Sequence, residues 1–126
     1  MKNTIVLLVC LIFTVYSAQA QTETKNTESE YIYVLHLVPK FLDTSTWTDK
    51  DNKAVGEHFE RLKKMHADGT LVLAGKTDNW GEKMFGIVIF YAESLDKAKE
   101  IANSDPAVMA GVMTVETFPY KIALMK

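Results

Sequence analysis

Apolar and polar positions along this chain fall into blocks, and each block has its own period. The first runs from Ile5 to Val15 and is interrupted only by Thr14. Lys2 stands before it, and Ser17-Ala18-Gln19-Ala20 follows in a small-x-small pattern. A cationic start, an apolar middle and a small-residue cleavage site make an export signal. The run is too short for a permanent transmembrane helix, which needs about 20 apolar residues. Cys10 lies inside the apolar run behind Val9, which does not suit a lipoprotein site. The expectation is that residues 1–20 are cleaved and that the mature chain is exported, to a periplasm or the medium, without a membrane anchor.

Residues 21–30, QTETKNTESE, contain no apolar side chain and read as a polar tether that cannot bury enough surface to fold. From Tyr31 the pattern changes. Tyr31 to Val38 is aromatic and β-branched and stops at Pro39, which predicts a first strand. A polar loop over Lys40–Lys50 carries Trp47. Val55, His58, Phe59, Leu62 and Met65 then recur at steps of three and four, the stripe of an amphipathic helix that Gly69 would stop. Thr70 to Gly75 predicts a second strand and Met84 to Tyr91 a third, apolar enough to be central and buried on both faces. The connection between them, Lys76–Lys83, is rich in turn residues and carries Trp80.

Ser94 suits the cap of a second helix whose inward stripe is Leu95, Ala98, Ile101 and Ala102. Asp105-Pro106 ends it, because the residue before proline avoids helix geometry. Met113 to Leu124 predicts a fourth strand in which Phe118, Tyr120, Ile122 and Leu124 alternate and Pro119 marks an edge or a bulge. The order β-α-β-β-α-β is the ferredoxin-like plan of the α+β class, one antiparallel four-stranded sheet with both helices on one face. The other face would carry apolar groups with nothing left in the chain to cover them. A second copy would cover them, so a homodimer is expected.

Composition narrows the chemistry. Removal of residues 1–20 leaves 106 of the 126 residues, enough for one domain at residues 31–126 with a single core. Lys2 leaves with them, and the formal charge moves from −2 to −3, a poor match for nucleic acid. Arg61, Lys63 and Lys64 read as the wet face of the first helix rather than a basic patch. Cys10 is the only cysteine and lies in the signal, so the mature chain has neither disulfide nor thiol nucleophile. His58 and His66 are eight apart and no His-Glu-x-x-His exists, so no metal site follows from spacing. Gly75-Lys76-Thr77 imitates the end of a phosphate loop, but position 70 is threonine where that loop needs glycine.

His58 is the most informative residue, an imidazole on an otherwise apolar stripe, where burial without a partner is costly. Asp105 follows the second helix, which this plan lays beside the first. Its carboxylate can accept from one ring nitrogen and leave the other as a general base near neutral pH. Taken alone, Asp105 is a turn residue. Gly75 ends a strand, through turn chemistry or to let a ligand approach. His36 alternates with Val34 and Val38 and reads first as a core residue, with the site as its other place. Trp47 and Trp80 are either pocket walls or plugs at the sheet end.

These residues carry a family resemblance. His58-Phe59-x-x-Leu62 with Asp68-Gly69-Thr70-Leu71-Val72-Leu73-Ala74-Gly75 resembles the first half of the YciI-like (YCII-related) domain. Ser94-Leu95-x-x-Ala98, Asp105-Pro106-Ala107-Val108-x-Ala110-Gly111-Val112 and Glu116-x-Phe118-Pro119-Tyr120 resemble the second. The resemblance spans Tyr31 to Leu124. It implies a dimeric α+β barrel and a small-molecule enzyme built on a histidine and an aspartate, here His58 and Asp105. Some members resemble lyases or dehydrochlorinases acting on ring-cleavage products, which implies cofactor-free acid/base chemistry. Lys76 departs from the pattern, since proline commonly follows the Ala-Gly pair, and the Lys40–Lys50 loop is a second departure. The alternative is a non-catalytic binding or structural domain on the same frame, with His58 as a buried hydrogen-bonding residue.

Overall fold

The computed structural model of the protein describes residues 28–126, so the expected export signal and nearly all of the expected tether lie outside the described residues. Four strands, β1 (Ser29–Leu37), β2 (Leu71–Lys76), β3 (Gly86–Ala92) and β4 (Met113–Pro119), form one antiparallel sheet in the order β2-β3-β1-β4. Helices α1 (Asp49–Ala67) and α2 (Leu95–Asn103) complete the ferredoxin-like α+β arrangement, and a four-residue helix, α3 (Pro106–Met109), follows α2.

Strand periodicity divides the sheet into two faces. Register pairs Tyr31 with Phe90, Tyr33 with Val88 and Leu35 with Gly86, and these rows, with Ala92, face the helix side. There their side chains are buried with Leu62 and Met65 of α1 and with Ala98 and Ala102 of α2. Tyr33 meets Phe90 edge-on, with ring centroids 5.4 Å apart. The small residues of α2 let it lie close to the sheet. The opposite face carries Ile32, Val34, Leu73, Ile87, Ile89, Tyr91 and Phe118, of which only Ile89 is buried. β3 is therefore central, as its composition requires, but full burial is confined mainly to its helix side.

Local signals set the boundaries. Thr48 and Asp51 form a capping box at the start of α1, so the polar loop is shorter than the sequence reading allowed. The rest of that loop winds into two 3-10 turns, Pro39–Leu42 and Thr44–Thr46. Gly69, at φ 81°, ends the α1 connection in the left-handed region that favours glycine. The first strand begins at Ser29, inside the stretch read as tether.

The expected fourth strand is too long, since β4 stops at Pro119. Proline offers no N–H to the ladder, and a last bond from Tyr120 N–H to the Glu30 carbonyl (3.0 Å) closes it. Leu124 is fully out in solvent. Phe59, placed on the inward stripe of α1, is 59% exposed. Arg61 also departs from its expected wet face. Its guanidinium donates to the Ile101 carbonyl (2.8 Å) and Ser104 Oγ (3.0 Å), fixing α1 against the carbonyl end of α2.

Candidate functional site

Asp105-Pro106 does more than end α2. Asp105 is the N-cap of α3 and Pro106 takes the first helical position, where proline's missing N–H costs nothing. Asp105 Oδ1 accepts from the Ala107 N–H at 2.9 Å. Its Oδ2 lies 2.7 Å from His58 Nδ1 and accepts a long, 3.5 Å contact from the Tyr33 hydroxyl. Asp105 is completely buried and the His58 side chain is 12% exposed. A carboxylate desolvated to this degree is tolerated only when its lone pairs are used. Among the described residues no buried side-chain nitrogen or oxygen lacks a partner.

As an ionised carboxylate Asp105 can only accept, so the hydrogen of the short bond belongs to His58 Nδ1. The neutral ring then keeps its lone pair on Nε2. His58 stands one helical turn after Ala54 and one before Leu62, both buried, so packing on either side holds the ring in register. Three elements converge here: α1 supplies the imidazole, the α2–α3 junction the carboxylate, and β1 the phenol.

Tyr33 escaped the sequence reading. Residues 31–35 are all apolar or aromatic, so composition alone did not show which side of β1 faces the helices. The structure turns Tyr33 inward, where a buried phenol needs a hydrogen-bond partner, and it finds one in Asp105, 72 residues away in the chain. Burial, chiefly, and the charge of Asp105 hold the Tyr33 hydroxyl well above the usual phenol range, with the Arg61 charge opposing.

His58 borders a cavity of about 470 Å³ between α1 and the sheet. Its walls are apolar: Val55, Phe59 and Leu62 of α1 face Leu35, Leu37 and Val88 of the sheet. Trp47 and Trp80 close the loop end. Both indoles are pinned to one 3-10 turn, Trp47 through the Phe41 carbonyl (2.8 Å) and Trp80 through the Leu42 carbonyl (2.9 Å). Phe41 packs edge-on against Trp47. The two tryptophans are thus walls of the cavity and braces of the loop at once.

The other sequence candidates are placed differently. Gly75 borders the cavity from within β2, not from a turn. It pairs with Ile87, so a Cβ there would point to the far face, into open space. His36 does not join the site. It faces away from the helices, is exposed, and lies 6.1 Å from the Phe85 ring. Its position on β1 has the wrong parity for the cavity, one residue from inward-facing Leu35. Among the described residues no group of three or more His, Cys, Asp or Glu side chains converges to hold a metal ion.

Fold and site together define an α+β ferredoxin-like domain with a histidine–aspartate pair beside an apolar cavity. The chain belongs to the YCII-related domain family, whose model matches residues 29–121. No curated protein matches it. A solved structure similar to it is that of the uncharacterized protein TM1266 from Thermotoga maritima. The two share 14% identity over 75% of this chain and 99% of that one, with a TM-score of 0.44. Family membership is consistent with a small-molecule-binding or enzyme-like domain.

Proposed function

We propose that this protein binds a small, largely apolar organic molecule between α1 and the sheet and moves a proton on it, with His58 as the base. The observation that carries this reading is the 2.7 Å bond from His58 Nδ1 to a wholly buried carboxylate, with the ring edging an apolar cavity. Nε2 accepts a proton from a carbon next to a carbonyl or lactone, and the released electron pair moves onto the carbonyl oxygen. Asp105 holds the tautomer and stabilises the imidazolium that forms. Return of the proton to another carbon isomerises the substrate, and departure of a leaving group makes the step an elimination. No organic cofactor is required for either outcome.

A panel of lactones and α-carbonyl compounds incubated in D2O, followed by NMR, tests this reading. Wild-type protein exchanges a carbon-bound proton in at least one of them, and His58→Ala, still folded by circular dichroism, loses about a hundredfold or more of that rate. Exchange that survives in His58→Ala, or that no compound shows, sinks the proposal. The second reading is a binding domain without turnover. It draws on Asp105 capping α3 and holding Tyr33, duties that a purely structural carboxylate would also perform.

The apolar far face of the sheet supports a homodimer joined sheet to sheet, with Ile32, Val34, Leu73 and Phe118 at its centre. The N-terminal signal pattern supports export of the working protein.

A further inference from the structure

One chargeable side chain in the cavity lining takes no part in the His58–Asp105 pair. Lys76, the last residue of β2, borders the cavity. It pairs in register with Gly86, which pairs in turn with Leu35, and that row lies on the helix side of the sheet. Gly86 has no side chain to shield the lysine stem, and the small Ala74 precedes it by one full strand repeat on the same side. Among the described residues Lys76 enters no ion pair, whereas Lys53, Lys63 and Lys97 each pair with a glutamate on their own helix. β2 is an edge strand and Lys76 is exposed at its end, beside the cavity.

Resting on the small-molecule reading above, we infer that the ligand is a monoanionic organic acid, its carboxylate held by Lys76 and its apolar body laid toward His58 between Trp47 and Leu62. The lining presents one fixed cation. A single carboxylate is compensated by it, whereas a phosphate dianion would bring a second charge against apolar walls without a partner. Apolar walls also strengthen the field of a lone cation at the mouth and draw anions toward it. The volume of about 470 Å³ lies within the range of ordinary small-ligand sites. Anchoring the acid at the edge strand leaves the carbon skeleton, not the charged group, beside the free ring nitrogen.

Trp47 and Trp80 are the only tryptophans of the chain, and both border the cavity, so intrinsic fluorescence reports its occupancy. Cinnamate and phenylacetate are titrated against their primary amides, which have the same shape without the charge. The wild type binds each acid about fivefold more tightly than its amide at low ionic strength, and the difference shrinks in about 0.5 M NaCl. Lys76→Met brings the acid-to-amide ratio to about one while leaving the amide affinity in place, and Lys76→Arg restores the preference. A ratio near one in the wild type, or a ratio unchanged in Lys76→Met, overturns the role of Lys76 and leaves the cavity reading standing. If neither acids nor amides perturb the tryptophans, both this inference and the small-molecule reading beneath it fall.

Discussion

Replacing Asp105 separates its duties, because alanine and asparagine remove different parts of them. Asp105→Ala loses the cap of α3, about 1 kcal/mol. It also leaves the His58 Nδ1–H without an acceptor in a nearly dry site, about 1–3 kcal/mol. The Tyr33 contact is long, at 3.5 Å, and adds less than about 1 kcal/mol. The sum is roughly 2–5 kcal/mol, a large part of the stability of a domain this size. It lowers Tm by about 10–25 °C.

Asp105→Asn behaves otherwise. Its carbonyl oxygen must face the Ala107 N–H to keep the cap, so its amide NH2 faces His58. Nδ1 then has to accept, and the ring hydrogen moves to Nε2. Stability falls by only about 1–2 kcal/mol, but the lone pair facing the cavity is gone. Urea denaturation gives the energies, and long-range 1H–15N NMR gives the tautomer. An alanine variant within about 1 kcal/mol of wild type, or a wild-type His58 that carries its neutral-form hydrogen on Nε2, refutes the arrangement.

Three further outcomes follow from the same geometry. Burial and the Asp105 charge raise the Tyr33 pKa, so the unfolded chain loses this proton first, and stability contributed by Tyr33 declines as pH rises past the ordinary phenol value of about 10. Tyr33→Phe removes that part of the alkaline loss and costs less than about 1 kcal/mol at neutral pH, measured by denaturation across pH; an unchanged alkaline slope counts against it. Ala74→Phe, on the exposed edge strand and facing the cavity, fills the site, shifts stability by less than about 0.5 kcal/mol and abolishes the tryptophan response to cinnamate. Phe118→Glu, on the open face where Phe118 is 46% exposed, leaves the domain folded and converts a dimer to a monomer in sedimentation equilibrium. A wild type that sediments as a monomer at micromolar concentration removes the case for the dimer.

The elements were legible where one period dominates and a strong punctuator bounds it. The threefold and fourfold stripe of α1 set the helix face, and the apolar runs bounded by Pro39, Gly69 and Ser94 set the strands, but not which side of β1 faces in. The β-α-β-β-α-β order then fixed the sheet topology. Errors gathered where two local signals compete. At Asp105-Pro106 the sequence was read for what it ends, although an aspartate followed by proline also begins a helix. At Pro119 the alternation of Tyr120, Ile122 and Leu124 continues past a residue that cannot serve the ladder, and the missing N–H prevails. Thr48-x-x-Asp51 was a usable start signal for α1 that the emphasis on apolar spacing passed over.

For the site, the helical stripe singled out His58, and the fold plan together with the family resemblance paired it with Asp105. Spacing cannot show that Tyr33 shares their oxygen, that Trp47 and Trp80 brace one turn, or that His36 has the wrong parity. These depend on distances between elements, which only packing sets.

The identity of residue 105 bears on the choice between a structural and a catalytic pair. Serine, threonine or asparagine would cap α3 about as well as aspartate does. None of them would also present a second acceptor to an imidazole: the hydroxyls carry one oxygen, and asparagine's other atom is a donor. A structural role does not need the histidine side of this arrangement at all, because a leucine at position 58 facing an asparagine cap would bury no imidazole. What aspartate adds is control over which nitrogen of His58 carries the hydrogen, at the cost of a fully desolvated charge. In folding that cost is offset by the cap, the Tyr33 contact and the bond to His58 itself. Of these, only the bond to His58 requires an aspartate, and its particular effect is to keep Nε2 free toward the cavity, which is the condition for proton transfer there.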